Sequence, residues 1–329
     1  MTDLSPTLVV PSGEQFDIRS GDHRATIVEV GGGLRSYTYG ARAVLDGYPV
    51  NQMCTGARGA ALIPWPNRLA DGAYTFADVD HQVALTEPDA HNAIHGFLRW
   101  RNWTLRGHRP DRVVVGTVLH PLPGYPFTLD VAIEYRLADT RTGEDRAGLS
   151  VATTATNLGD TACPYAAGHH PYLSVGTELI DDATLVLDAA TWLPTDHRGL
   201  PTARLPVTGS PYDFRTGRDI GDQHIDYAFT DLARTDGLAW VTLTGPDGRG
   251  SRLWVDEHYP FIELYTGDTQ PPEKRRRGLG VEPMTCAPNG LASGDGLTRL
   301  DPGQAVTTRW GIDPTAPPAP GPPAPGPPR

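Results

Sequence analysis

Cysteine and long apolar runs are scarce in this sequence. Three cysteines, Cys54, Cys163 and Cys286, are spread over 329 residues, which is too few and too scattered for a disulfide framework or a cysteine-rich metal site. The N-terminal segment has no basic stretch followed by an apolar core, so it is unlike a secretory signal. No apolar run approaches the ~20 residues of a membrane-spanning helix. We therefore expect a cytoplasmic protein without a membrane partner.

Positive charge is also in short supply. The chain has 28 Lys and Arg against 39 Asp and Glu, which gives a formal net charge of -11. Nucleic acids and anionic membranes are bound by clustered Lys and Arg, so we expect neither as a partner. The basic run at residues 274–277 follows Pro271-Pro272 and precedes Gly278, a setting that favours a solvated loop.

Amphipathic helical segments of ten or more residues are missing, and 37 Gly with 32 Pro would interrupt most of them. Short β-branched and aromatic runs bounded by Gly, Pro, Asn or Asp occur instead, and the first two flank Gly31-Gly32-Gly33 like a hairpin. The pattern predicts an all-β fold, a sandwich or barrel of antiparallel sheets. The runs are residues 25–30, 34–39, 112–119, 129–137, 149–156, 183–187, 238–244, 251–255 and 261–266.

The C-terminal segment differs in composition from the rest of the chain. Residues 315–329 are nearly all Pro, Ala and Gly, without the large apolar side chains that build a core. We predict one domain over residues 1–312 and a disordered tail over residues 313–329.

The strongest chemical signal is a histidine pair, His169-His170, read together with Glu282 far downstream. Histidine gives or takes a proton near neutral pH, and a carboxylate can complement it as the second group of an acid–base pair. Pro171 disfavours helical backbone at His170, which predicts an extended segment there. The simpler interpretation is a strand end with hydrogen-bonded histidines and a solvated loop carboxylate.

Other polar side chains lie in loops and next to aromatic residues. Arg68 offers a planar fork of donors for hydroxyl or carboxylate groups, and Asp226 can accept hydrogen bonds from a ligand. His91 and His95 are four residues apart, but the chain has no His-Glu-x-x-His pattern. Metal binding is therefore a weaker interpretation than direct substrate contact or packing. Together these features favour a polar groove with aromatic platforms, such as a sugar site.

The chain resembles the aldose 1-epimerase, or galactose mutarotase, family. The ordered motifs cover most of residues 8–312. They are Asn67-Arg68 with Gly72-x-Tyr74, His95-Gly96 with Trp103, His170-Pro171-Tyr172, Asp213-Phe214-Arg215 before Asp226, and Glu282.

The resemblance implies a large antiparallel β-sandwich that interconverts the α and β anomers of a free aldose without a cofactor or metal. His170 corresponds to the general acid that protonates the ring oxygen, and Glu282 to the general base that takes the C1 hydroxyl proton. His95 corresponds to a second histidine near the ring oxygen. Four further residues correspond to hydroxyl-binding positions: Asn67, Arg68, Tyr172 and Asp226.

Two features differ from the better-known members of that family and resemble those of a divergent branch. His169 stands where the better-known galactose enzymes carry Asn, and Pro283-Met284 stand where they carry Thr-Gln; both features are similar to sulfoquinovose mutarotase-like proteins. A hexose 6-phosphate or a sulfonated sugar is therefore an alternative substrate, with Arg99, Arg101 or the 274–277 run as a cationic pocket.

Two further alternatives belong to other functional classes. One is a catalytically silent carbohydrate-binding protein, which would have no need of His170 and Glu282. The other is a metal-dependent enzyme built on His91, His95 and His169.

Overall fold

A computed structural model describes residues 9–139 and 147–315, and the chain there is almost entirely β-strand with all ladders antiparallel. The prediction of an all-β fold is confirmed. Each predicted run from residue 112 onwards is a strand whose ends differ from the prediction by at most one residue, and the hairpin around Gly31–Gly33 is present. The one α-helix in the described ranges is α1 (Gly290–Ser293).

The larger sheet has nine strands. Along β12 (Leu129–Ala138) and β13 (Gly148–Asn157) buried residues alternate with partly exposed ones, because successive side chains of a strand point to opposite faces. In spatial order the strands are β10 (Thr104–Arg109), β11 (Arg112–Leu119), β12 (Leu129–Ala138), β13 (Gly148–Asn157), β27 (Ala305–Thr315), β23 (Gly250–Val255), β22 (Ala239–Thr244), β17 (Thr184–Leu187) and β20 (Arg218–Asp219).

The second sheet has eight strands and carries most of the polar motifs. Its central strand, β25 (Leu279–Met284), is buried along its whole length, so both of its faces are covered. The order is β19 (Leu205–Pro206), β18 (Ala189–Leu193), β21 (Asp226–Leu232), β24 (Phe261–Tyr265), β25 (Leu279–Met284), β15 (Gly168–His169) and β5 (Ala61–Leu62), with β16 (Tyr172–Leu173) also paired to β25.

Four smaller sheets complete the fold in the described residues. The four-stranded sheet comprises β1 (Gln15–Ser20), β2 (His23–Val28), β3 (Leu34–Tyr39) and β4 (Arg42–Ala43). Three two-stranded ladders pair β6 (Arg68–Ala70) with β9 (Asn92–Ile94), β7 (Ala73–Phe76) with β8 (Val79–Gln82), and β14 (Cys163–Tyr165) with β26 (Thr298–Leu300). Short 3₁₀ turns occupy Pro88–Ala90, Leu98–Trp100 and Pro272–Lys274.

The two large sheets share one apolar core. Ile133 of the nine-stranded sheet and Ile262 of the eight-stranded sheet belong to the same buried cluster. His169 also crosses the interface, since its Nε2 lies 2.9 Å from the Thr153 hydroxyl and its ring centroid 5.1 Å from that of Trp310. This is the face-to-face packing of a β-sandwich.

Two predictions concern the ends and the surface of the chain. Strand β27 continues to Thr315, three residues past the predicted domain end, and the rest of the predicted tail lies outside the described residues. In the basic run, Arg276 forms ion pairs with Asp181 at 2.7 Å and Asp268 at 3.0 Å, so its charge is used within the fold. No helix in the described ranges is long and apolar enough to span a membrane.

Candidate functional site

Strand register brings three carboxyl groups onto one face of the eight-stranded sheet. Glu263 is opposite Glu282 in the β24–β25 ladder, and Asp226 is opposite Tyr265 in the β21–β24 ladder. Directly paired residues of antiparallel strands point to the same face, so all four side chains lie on one side. Their neighbours along the strands, such as Val281 beside Glu282, point to the opposite face and into the core.

His170 meets Glu282 above this face. His170 Nε2 lies 3.0 Å from Glu282 Oε1, and both side chains are buried. The backbone of His170 is fixed by two hydrogen bonds, its N–H to the Ala60 carbonyl and its own carbonyl from the Gly59 N–H. Gly280 lies beside this ring, and a Cβ atom there would be in ordinary van der Waals contact with it at 3.4 Å.

Burial sets the protonation of this pair. It raises the pKa of Glu282, and the nearby Asp226 charge raises it further. It lowers the pKa of His170 to about 3, and the charge of Arg58 acts in the same direction. Because both shifts oppose charge on the two groups, the pair holds a single proton near neutral pH. A proton moved along the 3.0 Å contact converts a neutral pair into imidazolium and carboxylate.

His95 lies at the edge of His170, with ring centroids 5.6 Å apart. Its ring Nδ1 accepts a hydrogen bond from the Asn67 backbone N–H at 3.1 Å. In return, the backbone N–H of His95 donates to the Asn67 carbonyl. Burial and the neighbouring His170 lower the pKa of His95, which keeps the ring neutral. A neutral ring that accepts at Nδ1 carries its hydrogen on Nε2, so His95 offers a donor.

That tautomer bears on metal binding. Ligand atoms of His95, His170 and Glu282 all lie within 4.8 Å of one another, a spacing that a cation could bridge. An imidazole ligates through a nitrogen without hydrogen, however, and the Asn67 N–H occupies the one such nitrogen of His95. The donor set therefore fits hydrogen bonding better than metal coordination.

Arg68 connects the carboxyl groups on the other side of the site. Its Nε donates to Glu87 Oε2 at 3.1 Å, and its Nη2 lies 3.8 Å from Asp226 Oδ2. The Asn67 side-chain oxygen accepts the Arg68 backbone N–H at 2.7 Å, which anchors the turn before β6. Arg68 is only 20% exposed, so its fork is held in place rather than free in solvent.

These groups surround one cavity of about 500 Å³. Six of the seven predicted site residues line it: Asn67, Arg68, His95, His170, Asp226 and Glu282. A larger cleft of about 730 Å³ lies on the four-stranded sheet, beside Arg24 and His108. No histidine–carboxylate contact is found among the described residues of that cleft, so the smaller cavity is the better candidate.

The seventh predicted residue, Tyr172, lies behind His170. The two rings stack with centroids 4.8 Å apart and an interplanar angle of 7°. The Tyr172 hydroxyl donates to the Gly56 carbonyl and accepts from Gln270 Nε2, both at 2.8 Å. These contacts place Tyr172 as a support for the His170 ring, and direct sugar contact stays a prediction.

The predicted metal set does not come together. His91 is exposed, and His169 points into the core towards Thr153.

The Asp213-Phe214-Arg215 motif lies outside the site. Asp213 and Arg215 pair with each other at 2.7 Å, and neither lines the cavity.

Three residues that were not predicted from the sequence belong to the site: Arg58, Glu87 and Glu263. Tyr265, which lines the cavity, lies in the predicted strand end at residues 264–268. Glu263 carried a usable signal, because it is a charged residue in the apolar run 261–265 and shares the face of Tyr265 by two-residue periodicity. No local pattern marks Arg58 or Glu87, because each acts through a residue that is distant in sequence. Arg58 contacts the Tyr172 ring, and Glu87 pairs with Arg68.

Comparison with known proteins agrees with the fold and the motifs. Residues 14–312 match the family described as "Aldose 1-epimerase". The chain is 33% identical to the uncharacterized protein YihR of Escherichia coli, covering 89% of this chain and 91% of that protein. It is 27% identical to an aldose 1-epimerase of Haemophilus influenzae, over 73% of this chain and 71% of that one.

A solved structure extends the match to the fold. The GalM/aldose epimerase homologue from C. elegans superposes with a TM-score of 0.82 at 18% identity, covering 92% of this chain and 99% of that chain. The predicted family and sandwich fold are therefore confirmed, and the chain belongs to the aldose 1-epimerase family.

Proposed function

We propose that the protein is an aldose 1-epimerase that interconverts the α and β anomers of a free pyranose. The observation that carries the proposal is the 3.0 Å contact between His170 Nε2 and Glu282 Oε1 at the wall of the cavity. Anomer exchange requires one proton to be removed and one delivered, with no redox change and no transferred group. A pair that shares one proton supplies both steps.

The chemical steps follow from the roles of the two groups. Glu282, as carboxylate, takes the proton of the C1 hydroxyl while His170, as imidazolium, delivers its proton to the ring oxygen. The bond between C1 and the ring oxygen breaks, and C1 becomes an aldehyde carbon. Rotation about the C1–C2 bond presents the other face of the aldehyde, and the same proton movements in reverse close the ring as the other anomer.

Three groups would orient the sugar during these steps. Arg68 donates from a fork that Glu87 and Asp226 hold in place. Asp226 accepts hydroxyl hydrogen bonds, and the Nε2–H of His95 is a donor beside the His170 ring. Positioning of this kind raises the rate because the reacting atoms are already aligned.

The test is exchange NMR at anomeric equilibrium with purified protein, a chelator, and a panel of glucose, galactose, sulfoquinovose and glucose 6-phosphate. We expect the protein to accelerate exchange of at least one sugar. Lack of acceleration with every sugar would favour the silent carbohydrate-binding alternative, and binding without exchange would establish it. Activity abolished by the chelator and restored by added metal would favour the metal-dependent alternative.

A sugar with an anionic substituent is the second candidate, and Arg99 favours it. Of the three predicted sources of a cationic pocket, Arg99 lines the cavity and Arg101 is exposed. In the basic run, Arg276 is ion-paired, and Lys274 donates at 3.0 Å to the hydroxyl of Thr55, which lines the cavity. The Arg99 Nε is buried without a hydrogen-bond partner, and the guanidinium lies 5.1 Å from the Trp100 ring centroid. A sulfonate or phosphate in the cavity would face the positive charge of this guanidinium.

An arginine substitution separates the two candidates. Hydrogen bonds to charged groups contribute about 1.5–3 kcal/mol, so Arg99→Gln should lower kcat/KM for an anionic sugar by roughly 10- to 100-fold and change that of glucose little. Arg101→Gln is the matched control. Equal effects of Arg99→Gln on anionic and neutral sugars would argue against an anion-binding role.

A further inference from the structure

Glu263 is a buried carboxyl group that the acid–base mechanism does not use. It lies directly across the β24–β25 ladder from Glu282 and is 2% exposed. It is not among the residues that line the cavity. Its Oε2 is buried without a hydrogen-bond partner, so the group is held in place without being fully satisfied.

The charges around Glu263 cannot all be present together. Asp226, Glu263 and Glu282 share one sheet face, and each interacts electrostatically with the same arginine, Arg68. That arginine is already paired with Glu87. Glu282 already shares the single proton of its pair with His170. Two further ionised carboxylates in a buried site would repel each other strongly, so Asp226 or Glu263 also takes up a proton.

Glu263 is the member best suited to keep that proton. Asp226 has the positive charge of Arg68 at 3.8 Å to stabilise its carboxylate form. Within residues 9–139 and 147–315 no Lys, Arg or His lies within ion-pair distance of Glu263. Asp226 and Glu263 are diagonal neighbours on this face, because Asp226 is opposite Tyr265, two residues along β24 from Glu263. Burial raises the pKa of Glu263, and the charge of the neighbouring Asp226 raises it further.

We propose that Glu263 is a positioning residue that stays protonated at neutral pH and donates its hydrogen to Asp226. The donated hydrogen bond holds Asp226 as an oriented carboxylate that faces the cavity. A neutral Glu263 also spares Glu282 a second negative neighbour, which would oppose the transfer of the Glu282 proton to His170. The catalytic consequence rests on the proposed function, whereas the protonation state does not.

Protonation is tested directly by ¹³C NMR of protein labelled at the glutamate side-chain carboxyl carbon. The Glu263 signal is assigned by its loss in Glu263→Gln. We expect the wild-type signal to have the shift of a protonated acid at pH 7 and to titrate at higher pH. A carboxylate shift at pH 7 would overturn the proposal, whether or not the protein epimerises any sugar.

The positioning role is tested by two substitutions. Glu263→Gln keeps a neutral hydrogen-bond donor of nearly the same shape, so kcat, KM and the pH profile should stay within about threefold of wild type. Glu263→Leu removes the donor, so KM should rise tenfold or more while kcat changes less, since Asp226 contacts the sugar and moves no proton.

The opposite pattern would contradict the role. If Glu263→Gln lost activity as severely as Glu263→Leu, or shifted the acid limb of the pH profile by a full unit, Glu263 would act through the negative charge of its carboxylate and not as a neutral donor. If instead Glu282→Gln remained fully active, the proposed acid–base chemistry would fail while the NMR result for Glu263 still stood.

Discussion

His170 Nε2 and Glu282 Oε1 are 3.0 Å apart on side chains that are 5% and 4% exposed. His170 follows β15 and Glu282 lies in β25, two strands joined by the Gly168–Met284 pair. The contact therefore depends on a sheet register and not on a flexible loop. A sugar that reaches this pair meets both proton-transfer groups from one side of the cavity.

Replacing the acid should remove most of the activity. His170→Asn keeps a polar side chain but cannot exchange a proton near neutral pH, and general acid catalysis contributes roughly 10²- to 10⁴-fold. We expect kcat to fall in that range with the circular dichroism spectrum unchanged. His120→Asn, at an exposed histidine, is the matched control and should retain full activity.

The pH profile should be broad and flat across neutrality. Burial lowers the pKa of His170 to about 3 and raises that of Glu282. The pair gains a second proton only well below pH 6.5, the ordinary histidine value, and loses its single proton only above the ordinary carboxyl range. We therefore expect kcat/KM to hold from pH 6 to pH 7.5. Half-loss of kcat/KM near pH 6.5 would mean that His170 titrates as an exposed histidine.

Arg68 should affect binding more than turnover. Its fork contacts Glu87 and faces Asp226, and a lysine keeps the charge but loses the planar geometry. We expect Arg68→Lys to raise KM about tenfold with kcat within a few-fold of wild type. Arg112→Lys, in a partly exposed pair with Glu134, should change neither. A fall in kcat with KM unchanged would count against a purely binding role.

His169 should make the fold sensitive to acid. Burial lowers its pKa to about 3, against an ordinary value near 6.5. Because the folded form resists protonation, the stability present above pH 6.5 is lost as pH falls towards 3, with a slope of up to ~1.4 kcal/mol per pH unit.

His169→Gln removes this titration while it can still hydrogen-bond to Thr153. The free energy of unfolding in urea should therefore drop less between pH 7 and pH 5 in the variant than in wild type, by about 2 kcal/mol. The same pH dependence in both proteins would show that His169 is not buried as a neutral imidazole.

Local pattern was enough to predict the strands and part of the site. Alternation over residues 129–137 marks a half-buried strand, and β12 shows it residue by residue. His170 and Glu282 were recognisable because they match motifs of the family that the chain resembles, His170 through the Pro171-Tyr172 that follows it, and Pro171 added only the extended backbone at His170.

The contacts between distant residues were not predictable in this way. The Glu263–Glu282 pairing depends on the register of two strands, and the stacking of Tyr172 on His170 depends on how β16 pairs with β25. A one-residue slip would move each of these side chains to the other face. Periodicity alone gives the faces of a strand, and it does not give the partner strand or the register.

The central claim is that Glu282 removes the C1 proton, and exchange NMR of wild type beside Glu282→Gln tests it most directly. The sugar is the member of the panel that wild type accelerates most, and Glu273→Gln, at an exposed residue in the Pro272–Lys274 turn, is the matched control. We expect Glu282→Gln to lower the exchange rate constant by roughly 10²- to 10⁴-fold and Glu273→Gln to leave it unchanged. A fully active, folded Glu282→Gln protein would contradict the account.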